Sequence, residues 1–194
     1  TMQLPRSALL EAVAVTQAGP LRRLLAAASI DGLEAMQDAL AAGIARGANP
    51  RVIAREITWA GQIPGRRALT IARTEVMRAW REGSRASYQQ DPVVDGWTWW
   101  SALDRRTCAS CWAQHGTVHP LGEAMATHPN CRCVALPKTV SFRSLGIDLD
   151  DPVVDAGPDL FAALPADTQT DILGPGKAAA YHAGMEGQLR QEVQ

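Results

Sequence analysis

From Leu9 to Ala18, and again from Leu21 to Ala28, Ala and Leu recur with few β-branched residues, which predicts two short helices. Gly19-Pro20 divides them, because Gly ends a helix and Pro fits the first turn of the next. Leu33, Met36, Leu40 and Ile44 then recur every three or four residues, predicting a third helix that starts after Ser29 or Asp31 as cap and ends near Gly47. Asn49-Pro50 opens a fourth, with Val52, Ile53, Ile57 and Trp59 as apolar surface and Gly61 as its stop. The clearest helical period runs from Pro64 to Gln90, where Leu69, Ala72, Val76, Ala79, Trp80 and Gly83 share one side while Arg and Glu fill the other. Asp91-Pro92 closes this long spine, since the residue before Pro is pushed out of the helical region.

Beyond the turn at Asp95-Gly96 the period changes. Trp97 to Leu103 alternates aromatic and polar residues, and Cys131 to Val140 alternates again up to Pro137, which marks a strand end or a sheet edge. A small antiparallel sheet is expected there. The chain after Pro137 is rich in Asp, Pro and Gly and reads as loop, until Ala162 to Leu173 and Lys177 to Val193 predict two terminal helices. The expected fold class is therefore α+β, a mainly helical body with a long central helix and a small β lobe. Residues 1–38 form an N-terminal helical extension that either packs on a partner or closes the domain's own core, and residues 39–194 form the domain. Within it lie helices over 39–90, a cysteine-rich β lobe over 96–140, and an acidic loop with C-terminal helices over 141–194.

With 194 residues and 46% hydrophobic content the chain can bury a core, and no apolar run approaches the ~20 residues that span a bilayer. A membrane role is not expected. The chain opens on Thr1 without the pattern of a signal peptide, and is expected to be a piece of a longer one. A net charge of −1 offers no global argument for nucleic acid, although arginines concentrate between Arg51 and Arg85 and aspartates between Asp148 and Asp171.

All four cysteines fall between 108 and 133, which points to one site. Cys108-Ala-Ser-Cys111 can present two thiolates to one tetrahedral ion, and Cys131 and Cys133, on one face of an extended strand, can complete a structural zinc set. His128, three residues before Cys131, offers an alternative in which three cysteines and one imidazole bind and Cys133 is freed. Either set is closed, with no coordination position left for a reactive water. Two other states compete with zinc: disulfides, which need an oxidising compartment, and four reduced thiols packed as small hydrophobes. A redox role for Cys108 and Cys111 wants a βαβ setting and a helix start after the first cysteine, and the pattern predicts neither. His115 and His119 read as loop or packing residues rather than ligands.

Arg73, Thr74 and Glu75, in mid-helix, cannot all decorate the surface, and Glu75 or Arg73 is expected to reach Asp104 or Arg105 of the cysteine lobe. Arg66, Arg67, Arg78 and Arg81 are candidate contacts for nucleic-acid phosphates, set against a solvated face interrupted by Glu56, Glu75 and Glu82. Trp97, Trp99 and Trp100 fit core or interface better than base stacking. No Gly-rich phosphate loop, His-Glu-x-x-His helix or Gly-x-Ser-x-Gly elbow supports an enzyme, and Glu123 near His119 and His128 would have no metal-bound water to activate.

Ile71-Ala-Arg-Thr-Glu-Val76, Trp97 to Asp104, Thr107-Cys108-Ala-Ser-Cys111, Gly116 and His128-Pro-Asn-Cys-Arg-Cys133 resemble, in order and spacing, the phage Mu F-like minor head protein family of head-morphogenesis proteins. Gly43-Ile-Ala-Arg-Gly47, Ile53-Ala-Arg-Glu-Ile57 and Gln169 to Gly174 with Gly184 extend the resemblance over roughly Ala39 to Gly184. It implies a non-enzymatic minor capsid protein, assembled in the host cytoplasm and packaged inside a tailed-phage head. Its partners would be the portal, other head components and packaged DNA, with no small-molecule substrate, and its work head assembly and DNA packaging or delivery. The alternatives are a nucleic-acid-binding zinc module and the non-toxin domain of a toxin fusion of this type.

Overall fold

The computed structural model of the chain describes residues 30–184; the helices expected before Ala28 and the end of the one expected to reach Val193 lie outside them. The chain divides into two units, one comprising the residues up to Asp91 plus Ala124–Cys131, the other Pro92–Glu123 plus the residues from Arg132 onward.

The described part of the first unit is helical: α1 (Ile30–Ala45), α2 (Pro50–Gly61) and α3 (Gly65–Tyr88). The α1–α2 corner forms because Gly47 takes a left-handed φ of +64° and the Asn49 side chain accepts the Arg51 N–H at 2.9 Å, with Pro50 in the first turn. Met36, Leu40 and Ile44 from α1, Ile53 and Ile57 from α2, and Ile71 from α3 meet in one core with Ala54, Ala68, Ala72 and Ala79. Each large aliphatic side chain buried this way contributes on the order of 1.5–3 kcal/mol. A Cβ built on Gly43 would fall 2.5 Å from Ile53 Cγ1, so α1 meets α2 where only hydrogen fits. Two residues expected on the apolar sides of these helices stand away from the core: Trp59 is 86% exposed and Trp80 is also exposed. Trp59 lies on the side of α2 opposite Ile53 and Ile57, and Trp80 lies one step round α3 from the Ala72–Ala79 stripe.

In the second unit β1 (Val94–Trp100) is central, with α4 (Ala109–Gln114) between it and the edge strand β2 (Val118–Pro120), while β3 (Val134–Thr139) forms the other edge. Both pairings are antiparallel, and Trp97 faces His119 on one side and Pro137 on the other. Trp97 is 1% exposed, stacks on His119 with centroids 4.2 Å apart, and donates its indole N–H to the carbonyls of Pro120 and Glu123, each at 3.1 Å. After a 3₁₀ turn at Phe142–Leu145 come α5 (Gly157–Ala162), α6 (Ala166–Leu173) and α7 (Pro175–His182). Phe161 meets Trp112 and Tyr181 edge-on, with centroids 5.5 and 5.4 Å away. A Cβ on Gly157 would stand 1.8 Å from the Trp112 carbonyl oxygen, so α5 approaches α4 only through glycine.

The mixed α+β class, the long helix and the small antiparallel sheet are as the sequence predicts, while several boundaries differ. β1 ends at Trp100 rather than Leu103 because the next residue, Ser101, turns its N–H to His115 Nδ1 and its hydroxyl to the Cys111 carbonyl. β3 starts at Val134, so Cys131 and Cys133 lie in the connection before it and not on one strand face. The C-terminal region holds three short helices among the described residues, separated at Pro165 and Gly174, where two were expected. Among the described residues, no helix is long and apolar enough to cross a membrane.

Candidate metal centre

Among the described residues, cysteine and histidine side chains gather in groups that could hold a metal ion. In the second unit Cys108 immediately precedes α4 in extended conformation and Cys111 lies in its first turn, so one short helix start presents both. That helix was not expected, and it supplies one of the two conditions for a redox motif. The other fails, since the adjoining sheet is antiparallel with no βαβ crossover. The Cys111 sulfur lies within 4.8 Å of those of both Cys108 and Cys133. No disulfide joins the four cysteines, of which Cys111, Cys131 and Cys133 are buried and Cys108 is half-buried.

Ser101, at the end of β1, ties these residues together: its hydroxyl donates to the Cys111 carbonyl at 2.6 Å and lies 3.3 Å from the Cys133 sulfur. Its N–H donates to Nδ1 of buried His115 at 3.0 Å. Burial holds the His115 pKa below the ordinary histidine value, against opposing attraction from Cys133 and Asp155, so the ring is a neutral acceptor. Nothing in the spacing of the sequence marked Ser101.

Arg132, between the last two cysteines, grips Asp104 with both ends of its guanidinium, one bond being 2.8 Å. Asp104 also accepts from the Arg106 N–H at 3.0 Å and the Thr107 hydroxyl at 3.1 Å. These bonds, Arg132's first, hold the Asp104 carboxyl well below the usual carboxylate range. The fork fixes the chain just before Cys133 to the turn just before Cys108.

In the first unit α3 holds the segment that ends at Cys131. The Thr74 hydroxyl accepts the Asn130 N–H at 3.0 Å and donates to the Thr70 carbonyl at 2.7 Å. Asn130 itself adopts a left-handed φ of 59°. Arg81, 4% exposed, donates to the Cys131 carbonyl at 2.9 Å and the Thr127 hydroxyl at 3.2 Å. His128 is exposed, and its carbonyl accepts the Cys131 N–H at 3.1 Å.

The expected partners of the Arg73-Thr74-Glu75 motif are corrected. Thr74 and Glu75 do face inward while Arg73 is exposed, yet Glu75 pairs with Arg78 on its own helix at 2.9 Å, and Arg105 pairs with Asp171 at 3.2 Å. Of the candidate nucleic-acid contacts, Arg81 is turned inward and Arg78 is engaged by Glu75, whereas Arg66 is exposed and Arg67 half-buried. Trp97 and Trp99 are core residues, and Trp100 is partly exposed.

Glu75 is fully buried, and its Oε1 has no hydrogen-bond partner. Burial raises its pKa, and the Arg78 charge lowers it by less. The folded state therefore holds this proton more tightly than the unfolded chain. The resulting stability is present at acid pH and is lost as pH rises through the folded-state pKa. Glu75→Gln is expected to stabilise the protein by roughly 1 kcal/mol near neutral pH and to show no advantage near pH ~4, read from urea melts at both.

A family model described as Phage Mu protein F like protein matches residues 34–136, more than half of the chain. Among the curated proteins and the solved structures, none matches.

Proposed function

The chain belongs to the Phage Mu protein F like family of phage head morphogenesis, and from that premise we propose a structural minor head protein, carried near the portal inside a tailed-phage capsid. Head components are its partners and the virion its location. Its finer work, in this reading, is to support DNA packaging or delivery without turnover, as an internal part whose fold is clamped by one zinc ion.

The observation that carries the clamp is the gathering of thiols about Cys111, with Cys108 and Cys133 within 4.8 Å of it. Thiolate sulfur is the preferred donor for structural zinc, and the bond from Arg132 to Asp104 steadies the chain beside Cys133. Sequence spacing supplies the fourth ligand from Cys131, two residues before Cys133, with His128 as the alternative.

Protein purified without chelator is expected to carry about one zinc per chain by elemental analysis, with four titratable thiols once denatured. Absence of both metal and free thiols would sink the clamp. The head reading is tested separately by mass spectrometry of purified virions and by counting DNA-filled heads in lysates lacking the gene. Normal numbers of filled, infectious heads without the protein would overturn it.

A further inference from the structure

The outward face of the sheet carries a groove of about 380 Å³ whose lining includes Trp100, Val118, Leu136, Lys138 and Asp151. Three of these are exposed apolar side chains, with Val118 56% exposed. The segment over 141–160 beside it holds one Arg and five Asp, and it also exposes Leu145, Ile147, Leu149 and Val153. An apolar recess beside acidic chain fits a partner that presents an apolar knob among positive charges.

The chain carries such a knob. Arg51, Arg55 and Trp59 follow each other every fourth residue along the exposed face of α2, opposite the buried Ile53, Ala54 and Ile57. Among the described residues neither guanidinium has an ionic partner, and Trp59 is the most exposed aromatic residue. Trp and Arg are the side chains that most often anchor interfaces, because a large apolar area comes with adaptable charge. A stripe of this kind also suits nucleic acid, but only a protein surface offers both a recess for the indole and carboxylates for the guanidiniums.

We infer that the groove receives the Arg51–Arg55–Trp59 stripe of a second copy of this chain, so that copies associate head to tail. Knob and recess are built from different residues, so the contact is heterologous, and a pair of copies keeps one free knob and one free recess.

Sedimentation velocity of the full chain tests this, at rising concentration and at low and high salt. The wild type is expected to gain mass with concentration, and less so at high salt. A knob variant (Arg51→Glu, Arg55→Glu, Trp59→Ala) and a groove variant (Val118→Lys, Leu136→Lys) are each expected to remain monomeric, with self-association weakened at least ~10-fold. Mixed in equal amounts, the two variants should form a dimer and nothing larger, since one has only a recess and the other only a knob. Circular dichroism of each variant confirms its fold. A monomeric wild type at low salt overturns the inference, as does association that survives both variants. It is equally overturned if the knob variant loses duplex DNA binding while the wild type stays monomeric.

Discussion

Chelation of the zinc-loaded chain is expected to lower its melting midpoint by roughly 10 °C or more, and Cys111→Ser to lower it comparably without any chelator. Cys111 is the sharper target because its sulfur neighbours those of both Cys108 and Cys133, whereas Cys108 is half-buried and starts a six-residue helix. That helix is too short to stand by propensity alone, so its position depends on what its first turn binds. With the metal gone, the thiols take up protons and pack as small apolar groups, leaving Ser101 and the Arg132–Asp104 fork to hold the connections. If the thiols were only packing groups, chelator would change nothing and Cys111→Ser would cost about 1–2 kcal/mol. Calorimetry with and without chelator separates these outcomes.

Arg81→Met is expected to destabilise the protein by roughly 2–4 kcal/mol, read from denaturant melts. Methionine keeps most of the apolar length within α3 but donates nothing, so the buried Cys131 carbonyl loses its 2.9 Å donor and the Thr127 hydroxyl its 3.2 Å donor. Arg81→Lys should recover part of the loss, because one ammonium can serve one of two acceptors set apart for a planar fork. Since Cys131 ends the segment that Arg81 holds, zinc affinity should fall as well, on the order of 10-fold. Unchanged stability in Arg81→Met would mean that this segment is held by Thr74 and the local turn alone.

The helical unit was legible wherever a strong period coincided with punctuation. Asn49-Pro50 and Gly61 bound α2 because capping and helix-stop chemistry are local, and local signals survive in a linear reading. The same period misplaced Trp59, since two residues can both be apolar and yet stand on opposite sides of one helix. Around the cysteines the residue types were legible and the backbone was not. Cys131-Arg-Cys133 has the alternation of a strand, but its Arg132 is drawn to Asp104 and its Cys131 carbonyl to Arg81, bonds that join positions 28 and 50 residues apart. No window of sequence contains such pairs. Ser101 and Arg81 are the residues most thoroughly missed, one an ordinary serine after a strand, the other a buried arginine read as solvent-facing.

The edges of the sheet set a limit on how this protein can fail. β3 carries Pro137, which has no N–H to give, and Lys138, whose ammonium is held 2.9 Å from Asp95, while β2 is only three residues long. Neither edge offers the run of unsatisfied amides that templates strand addition, so fibrillar growth is blocked at both borders. For a chain of a phage head-morphogenesis family, protection from cross-β aggregation lies in the backbone itself, independent of any partner that covers its faces.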